Sequence, residues 1–323
     1  MNKQKPLVIT HKDCTDGCCS QAIIRSKFGN NAIYLELDHS NLDITKDINA
    51  NEYINQILGT NNSEVYIADF CLNTNMIDQL LKQNNKVVIL DHHASSIPFV
   101  TPFEKRIEQG EKLNIEINFS KENNCSGSML TWKYFYPELE PTLAIKHVSA
   151  GDIWKFEFGD STKHFYTGLL ETYKGPKNIP PEVWENLIFN DQYAESFISI
   201  GKPLHEQFMN EVMNYVPKGK PIVLNNTLGL MIEAPKKYTS DLGNQLAKIN
   251  GGFGLVYNLD PENGVVRCSL RSIEPLDVSL IAKKFGGGGH AQSSSFRCKN
   301  MEDFNDLLIS EGNHISLGKR IKP

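Results

Sequence analysis

The stretch Val87-Val88-Ile89-Leu90-Asp91-His92-His93 decides how the chain is read: four apolar residues stop abruptly at a carboxylate and two imidazoles. A short continuous apolar run of this kind fits a strand buried on both faces. Runs at 7–10, 32–37 and 65–68 repeat the theme, each ending in polar residues and separated from the next by an amphipathic stretch. That alternation predicts βα units around a parallel sheet. Open α/β sheets bind ligands at the carboxyl ends of their strands, so His11, Asp38, Asp69 and Asp91 are expected along one edge.

Working outward, 126–136, 142–153 and 164–173 read as helices with apolar faces, the first capped by Ser126. Residues 192–215 read as one long connecting helix, broken at Gly201-Lys-Pro203. Beyond it the segments 222–224, 228–233, 253–259, 265–271 and 293–297 predict strands, with helices near 240–249 and 277–285 and a tight glycine turn at 286–289. The expected fold class is α/β: a parallel-sheet domain at 1–190, a connector at 191–219, and a smaller α+β domain at 220–323, with the active cleft between the two.

The 323 residues exceed one ordinary domain, and 40% hydrophobic with 22% charged residues is globular usage. A net charge of -5 argues against wrapping long duplex DNA. A small phosphate ligand stays open, because bound divalent metal supplies positive charge locally. No apolar run reaches bilayer length and no signal-peptide pattern opens the chain, so a cytoplasmic protein away from membranes is expected. The seven cysteines form no disulfide or zinc-ribbon pattern and read as reduced thiols.

Chemistry concentrates in His11-Lys-Asp13-Cys-Thr-Asp16-Gly17, then Asp69, then Asp91-His92-His93, then Asp152. Carboxylates with imidazoles suit a borderline divalent ion such as manganese, iron(II), cobalt or zinc. A two-metal site is the natural inference, since a pair of ions sharing a carboxylate can activate water against a phosphoryl group. Each member alone could be a strand-end cap, a turn or a structural histidine; the ordered combination points to a metal centre.

These motifs, in this order, resemble the DHH phosphoesterase superfamily, whose triplet stands here as Asp91-His92-His93. The companion C-terminal domain is represented by Cys268-Ser-Leu-Arg271-Ser272 and Phe285-Gly-Gly-Gly-Gly-His290. The resemblance implies two manganese ions, with magnesium, cobalt or zinc as alternatives. It puts the first ion on His11 and one aspartate of the first motif, and makes Asp69 the bridge. The second ion falls to Asp16, His92 and Asp152. Asp91 would orient its neighbours and His93 would face the phosphate. Most of the superfamily has the two aspartates of the first motif two positions apart. Asp13 and Asp16 stand three apart, and if Asp13 does not reach, Asp38 or His39 could complete the site.

In the second domain, Arg271, Gly287, Gly288, Gly289 and His290 are the expected substrate clamp: bidentate guanidinium donors and glycine amides facing an anion. The family often carries Ala-Ala-Gly-Phe after this histidine, where the chain has Ser293-Ser-Ser-Phe296. Trp132, Trp154 and Trp184 are assigned to core packing ahead of base stacking, and His147, His164 and His205 to packing on helices. The expected activity is metal-dependent hydrolysis of phosphodiester or phosphomonoester bonds in small nucleotides or short single-stranded oligonucleotides. The alternatives are a pyrophosphate or polyphosphate hydrolase and a non-catalytic nucleotide-binding protein. A homodimer is compatible with either.

Overall fold

The computed structural model describes residues 4–313 apart from 44 and 46. The chain divides at His205/Glu206 into two compact units.

The first unit contains strands β1 (Leu7–His11), β2 (Ile33–Leu37), β3 (Glu64–Ala68), β4 (Lys86–Asp91) and β5 (Ile115–Phe119). Its helices are α1 (Thr15–Phe28), α2 (Ala50–Leu58), α3 (Thr74–Lys82), α4 (Ile97–Glu108), α5 (Gly127–Phe135), α6 (Leu143–Asp152), α7 (Asp160–Tyr173) and α8 (Pro181–Leu187). The strands run parallel in the order β2-β1-β3-β4-β5. Alternate residues serve opposite faces: Leu7, Ile9, Val65, Ile67, Val87 and Ile89 enter the core under α2, α3 and α4. Val8, Tyr66, Ala68, Val88 and Leu90 enter the core with Ile24 of α1 and the partly buried Leu130 of α5. A sheet covered on both faces requires the continuous apolar strands that the sequence displays. The strand β5, not expected from the sequence, has alternating exposure at the sheet edge and so lacks that continuous signature.

Strand order reverses direction at β1, which lies between β2 and β3. Such a switch point leaves a crevice beyond the carboxyl ends of the strands. His11 ends β1, Asp69 follows β3 and Asp91 ends β4 there.

A helical layer of α1, α5, α6, α7 and α8 shares a core around Trp132, Phe165 and Trp184. The helix α9 (Asp191–Tyr215) is continuous through Pro203, in contrast to the expected break. Its Gly201 is used for proximity instead: a Cβ there would lie 1.8 Å from the His164 carbonyl oxygen, and one on Gly168 of α7 would lie 1.9 Å from the Phe197 carbonyl oxygen. The two backbones meet because neither glycine carries a side chain.

The second unit is a mixed six-stranded sheet of β6 (Lys220–Leu224), β7 (Thr227–Glu233), β8 (Phe253–Leu259), β9 (Val266–Ser272), β10 (Gly288–His290) and β11 (Ser293–Cys298), in the order β10-β11-β9-β8-β7-β6. Helix α10 (Thr239–Asn250) adds Leu242 and Leu246 to a core with Val256. Helices α11 (Val278–Lys284) and α12 (Met301–Ser310) enclose Leu255, Leu270 and Phe296 in another. All seven cysteines are free. Among the described residues no helix is long and apolar enough to cross a membrane.

Candidate metal centre

The loops at the switch point bring the first unit's polar residues together from five elements. His11 stands at the end of β1 with its Nδ1 3.6 Å from Asp69 Oδ2. His92 Nε2 lies 3.3 Å from Asp69 Oδ1 and 3.1 Å from Asp152 Oδ2, while His93 Nδ1 is 3.8 Å from Asp69 Oδ1. Asp69 is fully buried and holds a left-handed backbone, φ 53°, which turns its side chain out of the strand direction. Asp152 is the last residue of α6, and its side chain is 22% exposed.

Asp16 sits in the first turn of α1, fully buried. It accepts hydrogen bonds from Ser126 Oγ at 2.7 Å, from the Ser128 amide at 3.1 Å and from the Ser128 hydroxyl. The amino-terminal end of α5 therefore anchors this carboxylate, with the helix dipole in its favour. Gly17 permits the approach of α1 to β1, because a Cβ there would fall 2.2 Å from the His11 carbonyl oxygen.

Asp91 faces its own successors: its Oδ1 accepts from the His92 amide at 2.8 Å, the His93 amide at 3.2 Å and His93 Nδ1 at 2.7 Å. It fixes the loop and one imidazole. Asn123 does the same for His92, with Oδ1 2.7 Å from Nδ1, and turns Nε2 toward Asp69 and Asp152. Asn123, Ser126 and Ser128 are support residues that no spacing in the sequence singles out as part of this centre. Ser126 is readable as a helix cap, and Asn123 belongs to a polar loop without pattern.

Among the described residues there are three overlapping sets whose ligand atoms lie within 4.8 Å of one another: Asp69, Asp91, His92 and His93; His11, Cys14 and Asp69; Asp16, His92 and Asp152. Asp13, expected as a ligand of the first ion, belongs to none of them and is exposed, and Cys14 is the residue of this loop that stands with His11 and Asp69. Asp38 is occupied in capping the turn at 39–42 through Ser40 and Asn41. His39 packs against Phe70, with ring centroids 4.8 Å apart and planes tilted by 33°.

The electrostatics fit a cation. Burial pushes the Asp16 carboxyl well above its ordinary range, with the charges of Asp69 and Asp152 adding to the effect. Burial opposes protonation of His92, but hydrogen bonds to Asp152 and Asp69 outweigh it and hold its pKa up to about 12. Buried carboxylates are costly without a counter-charge, which a bound cation would supply. Buried atoms His11 Nδ1, Asp69 Oδ2 and Asp91 Oδ2 also have no hydrogen-bond partner. Oxygen and imidazole donors of this kind fit a borderline divalent ion. Cys14 is a poor competitor: burial and then Asp69, Asp16 and Asp152 push its thiol up and keep it protonated.

In the second unit, Arg271 on β9 donates to the Leu270 carbonyl at 2.9 Å and to Ser240 Oγ at 2.9 Å. Ser293 of β11 pairs with Arg271 on one side and His290 of β10 on the other, so the three lie in one row across the sheet. The glycine run differs from the expected turn. The amides of Gly286 and Gly287 donate to Lys283 and Ala282 and close α11, while Gly288 and Gly289 enter β10. The Gly287 amide is therefore spent on the helix end and cannot also face an anion.

No family model matches the chain. It is 27% identical over 308 residues to an uncharacterised protein, R106, of Acanthamoeba polyphaga mimivirus, covering 90% of this chain and 67% of the other. It is 22% identical over 263 residues to the oligoribonuclease NrnB of Bacillus subtilis, covering 76% and 62%. The chain thus spans about two thirds of the length of these curated relatives. Among solved structures it resembles the DHH domain of a protein assigned to a family of ribosomal proteins, with a TM-score of 0.59, 16% identity, and coverage of 95% of this chain and 85% of that one.

Proposed function

We propose, for a chain that belongs by fold to the DHH superfamily, hydrolysis of phosphoester bonds in small nucleotides or short single-stranded oligonucleotides, with manganese as the working metal. The observation that carries this reading is the convergence of His11, Asp16, Asp69, His92 and Asp152 at the switch point of a parallel sheet, with buried donor atoms left unpartnered. The name of the Bacillus subtilis relative, an oligoribonuclease, supports the substrate class.

His11 and Asp69 would hold one ion, and Asp16, His92 and Asp152 the other, with Asp69 shared between them. Bound divalent ions would supply Lewis-acid charge against the phosphoryl oxygens and acidify water. Asp91 holds His93 by Nδ1, which leaves Nε2 as the ring atom that can meet a substrate oxygen and pass a proton to the leaving group. Asn123 and the Ser126–Ser128 end of α5 keep His92 and Asp16 in register with Asp69. Arg271 and His290 form the substrate-holding row of the second unit.

The position of Asp13 favours one rival, a protein that binds nucleotide and metal without hydrolysis. Product analysis separates the two. Purified protein is offered short RNA and DNA oligomers, cyclic dinucleotides, phosphorylated adenosine nucleotides and pyrophosphate, with manganese or with a chelator. Manganese-dependent release of mononucleotides is expected. Tight nucleotide binding with no product from any substrate supports the rival, and orthophosphate from pyrophosphate alone replaces both.

A further inference from the structure

We propose that the indole of Trp154 is a stacking platform for a nucleobase of the substrate, set beside the metal centre; this rests on the reading of the protein as a nucleotide phosphoesterase. The other two tryptophans are core residues, Trp132 1% and Trp184 3% exposed. Trp154 is 52% exposed.

Its placement is not incidental to the fold. Helix α6 ends on Asp152, and the chain then closes a Schellman motif: the Lys155 amide donates to the Ala150 carbonyl at 3.0 Å and the Trp154 amide to the Gly151 carbonyl at 3.3 Å. Trp154 occupies the left-handed position of that motif, φ 57°, where glycine is the favoured residue and a bulky side chain is strained. Among the described residues, the positive-φ positions that are neither glycine nor asparagine are Asp13, Asp69, Trp154 and Lys174. Lys174 ends α7 ahead of Gly175. The other three lie in loops that build the metal centre or flank it. Backbone strain concentrates where function holds it.

Helix termination would be served better by glycine, and core packing does not use half of the indole surface. Phe156 braces the ring in a T-shaped contact, centroids 4.7 Å apart and planes at 75°. A braced, half-open indole two residues from Asp152 suits a flat aromatic base whose phosphate reaches the cluster. Stacking tolerates any base, which is the recognition a hydrolase of short oligonucleotides needs. Inorganic pyrophosphate offers nothing to stack.

The test uses the full chain with manganese and the 5′-phosphorylated dinucleotide pApA, comparing wild type, Trp154→Gly and Trp154→Phe. Glycine should raise KM about tenfold, the order of one lost base–aromatic stack, with kcat within about threefold, and phenylalanine should restore most of the loss. Independently, AMP should quench the wild-type tryptophan emission, and Trp154→Phe should abolish that quench. An unchanged KM in Trp154→Gly together with a quench that survives in Trp154→Phe overturns the stack while leaving the hydrolase intact. A wild type that cleaves no dinucleotide overturns the proposed reaction; an AMP quench that depends on Trp154 would then still uphold the stack, and one that does not would remove it too.

Discussion

Asp69 reaches His11, His92 and His93, and its carboxylate is shared between the ligand set that holds His11 and the one that holds the Asp91-His92-His93 triplet. Replacing it by asparagine keeps the volume and removes the shared charge. We expect Asp69→Asn to lower kcat by about 10³-fold or more, the weight of several kcal/mol of charge stabilisation, and to weaken manganese binding in a calorimetric titration, with the circular dichroism spectrum unchanged. Activity and affinity within a factor of three of wild type would remove Asp69 from the bridging role. At this scale the sequence is informative where polar residues interrupt apolar runs, as at His11, Asp69 and Asp91-His92-His93. It does not separate Asp13 from Asp16, because a carboxylate beside a motif reads the same whether the fold buries it against the other ligands, as at Asp16, or leaves it exposed and outside every ligand set, as at Asp13. It is silent on Asn123, whose role depends on a loop meeting His92 from 31 residues away.

Between elements, α6 and α7 enclose His147, which is 1% exposed, with Nδ1 3.0 Å from Thr162 Oγ1 and Nε2 unpartnered. Burial lowers its pKa from 6.5 to about 4. The unfolded chain therefore binds the extra proton between pH 6.5 and 4, and stability that is complete above pH 6.5 falls as the pH drops through that window. The loss amounts to about 3 kcal/mol by pH 4. Urea midpoints measured from pH 7 to 4.5 with chelator present should slope less steeply in His147→Gln than in wild type; equal slopes would show that the imidazole is not held neutral. The crossing of α7 and α9 gives a second expectation at this scale. Gly201→Ala places a methyl against the His164 carbonyl and should cost about 2 kcal/mol, a fall in Tm of several degrees. An unchanged Tm would mean that the helices separate freely. The apolar periodicity of α9 was legible, but Gly201 and Pro203 read locally as a break, since the partner that makes a glycine useful lies more than thirty residues upstream at Gly168. The edge strands β5 and β10 escaped for the opposite reason: they are short and only half covered, so they carry little of the apolar signal that marks β1, β3 and β4.

Across the whole molecule, the chain carries separate cores in its two units, and every ligand set of the metal centre belongs to the first. Length and the change in segment pattern after α9 suggest boundaries near 190 and 220 in the sequence, while the division at His205/Glu206 falls inside a continuous helix that no composition shift marks. Metal bound only by the folded first unit stabilises that unit by mass action, about 2.7 kcal/mol at a hundredfold excess over Kd. For a unit of this size the gain corresponds to roughly 5–10 °C. Scanning calorimetry with manganese should therefore resolve two transitions: one that moves up with metal and returns with chelator, and one, from the mixed sheet, that stays in place. Asp69→Asn should reduce the movement of the first without touching the second. A single transition that shifts as one with metal would show instead that α9 couples the two cores into one cooperative unit, because stabilisation applied at the switch point of the parallel sheet would then be felt by strands that contribute no ligand to it.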